Sequence, residues 1–66
     1  MSRNFGYSLN SEKVDQMITR IRQRLDAIRA EGYTVTDKVI DTVLSEVYYA
    51  FDATWAEIAA VDGEKF

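Results

Sequence analysis

The 66-residue sequence is 47% hydrophobic, contains no Cys, His or Pro, and carries a net charge of −3. A chain this short makes one domain and buries only about 60% of the surface its unfolded form exposes, so disulfides, a metal or self-association must usually reinforce its core. Lack of Cys and His excludes disulfides, Ser-His and Cys-His nucleophile pairs, zinc clusters and Glu-x-x-His di-metal motifs; acid-base work by carboxylates remains formally open, but the expectation is self-association and a non-enzymatic role without a cofactor.

The first ten residues read as an extended leader. In FGYSLNSE, residues 5 to 12, Phe5, Tyr7 and Leu9 alternate with Gly6 and Ser8, the period of a half-buried strand. Two readings follow: a short strand with a partner, or a flap whose aromatics pack on a helical body.

A helix is expected over 11–31. Val14, Ile18, Ile21, Leu25 and Ile28 step by four, three, four and three, with Met17 and Ala27 widening the seam. Asn10 or Ser11 can cap its start by accepting an orphan backbone N–H. Gly32 suits a left-handed residue just past the end, which would return Tyr33 toward Ile28 in a Schellman-type turn, and Arg29 favours the helix dipole.

A second helix is expected over 36–61. Thr36 is its N-cap, with Val35 and Ile40 as a hydrophobic staple and Asp37 adding negative charge to the first turn; Thr34 paired with Asp37 is a rival capping frame. Val39, Ile40, Val43, Leu44, Val47, Tyr48, Phe51, Trp55, Ile58 and Ala59 form an apolar stripe, and Asp62-Gly63 marks its end. The stripe is too wide for one partner helix. The chain is therefore expected to be an all-α, two-helix antiparallel hairpin that self-associates into a bundle as a homodimer or higher oligomer, with Leu44, Val47, Tyr48, Phe51, Trp55 and Ile58 at the self-association face.

Chemistry beyond packing is sparse. Asp37 and Asp41 share a helical face, but a capping and an exposed carboxylate explain them better than a cation site does, and Asp62-Gly63-Glu64 lacks the spacing of a calcium loop. Tyr49 sits off the stripe as a candidate contact for another protein. Arg20, Arg22, Arg24 and Arg29 lie on two faces and are diluted by Asp15, Asp26 and Glu31, so they form a solvated surface rather than a nucleic-acid patch. Residues 1–38 carry seven basic and five acidic side chains, against one and six in 39–66, so the halves stand at +2 and −5 and a basic half could meet an anion. The longest apolar run, VYYAF, is too short for a membrane span, and the expectation is a soluble, cytoplasmic protein.

The leader, the first helix, the turn EGYTVTDKVI and the second helix together resemble the ribbon-helix-helix family of prokaryotic DNA-binding proteins over about residues 3–51. Plasmid-transfer accessory proteins of the TraM type, which have a long arginine-containing first helix, resemble the chain a little more than the family at large does. The resemblance implies a dimeric DNA-binding protein in which Phe5, Tyr7 and Leu9 face the core of a shared ribbon. Asn4, Gly6 and Ser8 would face the bases, and the second helix start, Thr36 to Lys38, would clamp phosphate. In size, connectivity and acidic tail the chain is also similar to helical-hairpin dimers of the Rop type. That likeness implies an adaptor, inhibitor or assembly element, and it is the preferred reading.

Overall fold

The computed structural model describes residues 9–66, so the leader positions Asn4, Phe5, Gly6, Tyr7 and Ser8 lie outside the described residues. Among the described residues the chain is all-α, in three helices: α1 (Ser11–Ala30), α2 (Asp37–Phe51) and α3 (Trp55–Asp62).

Helix α1 starts where Asn10 accepts the Lys13 N–H on its side chain at 3.0 Å. It ends in the Schellman turn: Tyr33 N–H reaches the Ile28 carbonyl at 3.3 Å and Gly32 N–H the Arg29 carbonyl at 2.9 Å. Gly32 has φ +90, a conformation that a side chain would strain. Thr36 then caps α2 by accepting the Val39 N–H at 3.3 Å, so the Thr34 frame is not used. Val35 and Ile40, the two staple positions, both pack against the core.

The expected helix over 36–61 is broken. α2 stops at Phe51 because Asp52 adopts the left-handed conformation (φ 51, ψ 53), and Thr54 opens a new helix. Thr54 and Glu57 form a capping box, with the Glu57 N–H on Thr54 Oγ1 at 3.2 Å and the Thr54 N–H on Glu57 Oε1 at 2.9 Å. The expected two-helix hairpin is thus replaced by three helices.

Pair contacts set their directions. Arg24 meets Glu46 while Lys13 meets the Asp52 carbonyl, so α2 runs antiparallel to α1. Glu57 lies by Asn10 and Lys13 while Glu64 meets Arg22, so α3 turns back and runs parallel to α1. Helix α1 is the element on which both others pack. The core consists of Val14, Met17, Ile21 and Leu25 of α1, Val43 and Val47 of α2, and Val61 of α3. Met17 is fully buried whereas Ile18 and Ile28 are half-buried and Ala27 is exposed, so the centre of the α1 stripe is rotated from the expected heptad line. Met17 stands one heptad before Arg24, which pairs with Glu46 of α2, so it lies on the side of α1 that α2 covers.

Candidate interaction surface

The fold-back at Asp52–Thr54 determines what the C-terminal third presents. Along one straight helix, Tyr48, Phe51, Trp55 and Ile58 would share a face. After the break, α3 is turned so that Glu57 and Val61, four residues apart, point into the molecule, while Trp55 is left 82% exposed and Ala59 faces solvent. Val47, expected at a self-association face, lies instead in the chain's own core, and Leu44, Tyr48, Phe51 and Ile58 are half-buried. Tyr49 is 90% exposed. Tyr49 and Trp55 flank the turn, and Tyr49 lines a surface groove with Ser45, Tyr48, Asp52, Ala53 and Ile58.

A polar cluster holds this turn in place. Glu57 is only 2% exposed, and its carboxylate accepts from the Thr54 N–H, from Lys13 Nζ at 3.0 Å and from the Asn10 N–H at 3.4 Å. Lys13 Nζ donates also to the Asp52 carbonyl at 3.1 Å, so one ammonium joins the end of α2 to the start of α3. The Thr54 backbone bond is the largest influence on the Glu57 acid and, with Lys13 and Asn10, outweighs burial to hold its pKa below the ordinary value. No buried side-chain polar atom among the described residues lacks a partner. Across the same turn, the Tyr48 hydroxyl donates to the Asp62 carboxylate. Burial first, then Asp62, pushes the phenol well above its ordinary pKa.

The other candidates are dispersed. Thr36 is committed to its capping bond, and Lys38 is exposed one residue beyond Asp37. Both line a separate shallow groove with Arg24, Ile28, Val39, Thr42 and Val43 at the opposite end of the bundle from Trp55. Three of the four arginines in α1 pair with carboxylates: Arg22 with Glu64 at 3.1 Å, Arg24 with Glu46 at 2.8 Å and Arg29 with Asp26 at 3.3 Å. Arg22 also lies 5.8 Å from the centre of the Phe66 ring. Among the described residues no cluster of three carboxylates could hold a metal ion, and no helix is long and apolar enough to cross a membrane.

Sequence reasoning missed Lys13, Asp52, Glu57 and Asp62. The signal was present: Thr54-x-x-Glu57 is a capping-box pattern, and it follows an Asp, one of the few residues besides Gly that tolerate the left-handed region. It was hidden by an apolar stripe that runs through it without a break. No family model matches this chain, and neither does any curated protein or solved structure.

Proposed function

We propose that this chain is a small non-enzymatic binding module that self-associates through its C-terminal third and presents the same region to another protein. The observation that carries this reading is the pair of exposed aromatics, Tyr49 and Trp55, at 90% and 82% exposure on either side of the Asp52–Thr54 turn. Large aromatics in water beside a partly apolar groove are the residue types that dominate protein interfaces. The one buried carboxylate, Glu57, is occupied by three donors, which favours a structural over a catalytic role. Sedimentation velocity over a micromolar concentration series tests the reading. The expected result is a concentration-dependent dimer that Trp55→Ala weakens, and a monomer at every concentration overturns the self-association.

DNA binding in the ribbon-helix-helix manner is the second reading, favoured by the exposed Lys38 close to the α2 N-terminus. Asp37 in the same first turn and the pairing of the α1 arginines weigh against it. Titration with duplex DNA at low salt decides, because phosphate contacts are strongest there. Absence of binding rejects this reading and leaves the first intact.

A further inference from the structure

From Thr36 to Asp62 the chain contains neither Gly nor Pro, yet its helix is interrupted. The chain turns at Asp52, the single non-glycine with positive φ among the described residues. Nothing at 52–54 forbids a helix: no ring removes a donor, and every side chain there can occupy helical backbone. Straightening would relieve the left-handed Asp52 and add intrahelical bonds across the break, at the loss of the Thr54 cap. It would also return Trp55 and Ile58 to the face of Tyr48 and Phe51, rebuilding the apolar stripe that the fold-back divides.

Helix α3 is held chiefly to α1, through Val61 against the core, Glu57 on Lys13 and Glu64 on Arg22. A straight α2–α3 helix would carry α3 away from its own α1. The matching surface then exists in one other place, the α1 of a second copy, which offers the same Met17–Ile21 core, the same Lys13 and the same Arg22.

We propose that α3 is an exchangeable element: two copies of this chain trade it, each running residues 37–62 as one helix across the dimer and docking 55–62 on the α1 of the other. The proposal rests on the self-association reading and specifies its geometry. The short Asp52–Thr54 connection acts as the hinge, and a short connection between two packed elements is where domain exchange occurs. A two-fold axis near the hinge satisfies the directions, since α3 runs parallel to the α1 it covers in both forms.

The test uses two measurements. In sedimentation equilibrium, Asp52→Ala removes the preference for the turn, and Asp52→Gly makes the turn free of strain. The dimer dissociation constant is expected to fall roughly tenfold in the first and rise roughly tenfold in the second, because each dimer contains two hinges. For exchange itself, chains carrying only Arg22→Cys are unfolded, mixed with chains carrying only Glu64→Cys, refolded and treated with a short bismaleimide; the native chain has no Cys to interfere. Crosslinked heterodimers are expected. A dimer that gives no such crosslink, while the double variant crosslinks within one chain, overturns exchange and leaves self-association standing. A monomer throughout, Asp52→Ala included, overturns both.

Discussion

The two chain reversals in this protein use the same hydrogen bonds and rest on different causes. At the first, Tyr33 and Gly32 donate to Ile28 and Arg29; at the second, Ala53 and Asp52 donate to Tyr48 and Tyr49 at 3.0 and 3.3 Å. The left-handed position is a glycine at φ +90 in one and an aspartate at φ 51 in the other. The first reversal is written locally, since Gly32 adopts that backbone at no steric cost and the Thr36 cap starts the next helix unaided. The second is held by distant partners, Asn10 and Lys13, which lie more than 35 residues away in sequence. A turn can thus be demanded by its own residue or tolerated by that residue and imposed by tertiary contacts.

The largest perturbation expected is one that removes the core beneath both reversals. Leu25→Ala should cost about 2–5 kcal/mol in urea unfolding, and a loss below about 1 kcal/mol would show that the α1 seam is not packed as described. Glu57→Ala attacks the second reversal alone. It removes the acceptor of the Asn10 and Thr54 N–H groups and leaves Lys13 with only the Asp52 carbonyl, for an expected loss of about 2–3 kcal/mol, with α3 amides becoming the fastest of the three helices in hydrogen exchange. Unchanged exchange in α3 would mean that the cluster does not hold it.

The same carboxylate gives a pH signature. Its folded pKa is lowered from the ordinary 4.5, so its contribution is fully present above that value and is lost as the pH falls below it. The stability gap between native chain and Glu57→Gln should therefore be widest near neutrality and close in acid; a gap independent of pH would remove the charge from the explanation.

Gly32→Ala should cost about 1–2 kcal/mol through backbone strain alone, because no atom lies within 4 Å of the added Cβ. Asp52→Gly should have the opposite sign and the smallest size, a gain of about 0.5 kcal/mol for the closed monomer, read as a higher melting temperature. If the two glycine exchanges shift stability in the same direction, the distinction between a demanded and a tolerated turn is lost.

That distinction also accounts for what could be read in advance. The α1 helix, its Asn10 cap, the Gly32 reversal and the Thr36 start all depend on residues within a few positions of the feature, and each was legible. The break at Asp52 carries a local signal in Asp52 and the Thr54-x-x-Glu57 box, but the apolar spacing through Tyr48, Phe51, Trp55 and Ile58 also satisfies a continuous helix, and the contacts from Lys13 and Asn10 that reinforce the break lie far along the chain. Met17, expected on the flank of α1, is at its buried centre, because the spacing of apolar residues leaves open the angle at which the neighbouring helices meet that stripe. Trp55, assigned to an apolar face by spacing, sits in water once that face is divided. The Asn4 and Ser8 assignments fall outside the described residues.

Trp55 is the only indole in the chain. Standing in open solvent on the first turn of α3, it should emit at nearly the wavelength of an unfolded peptide, so its colour will say little about whether a lone chain is folded. Any event that covers it will shift the emission to the blue. The protein therefore carries an optical reporter for assembly that is almost blind to folding, and a dilution series followed in a fluorimeter can separate the two without a label.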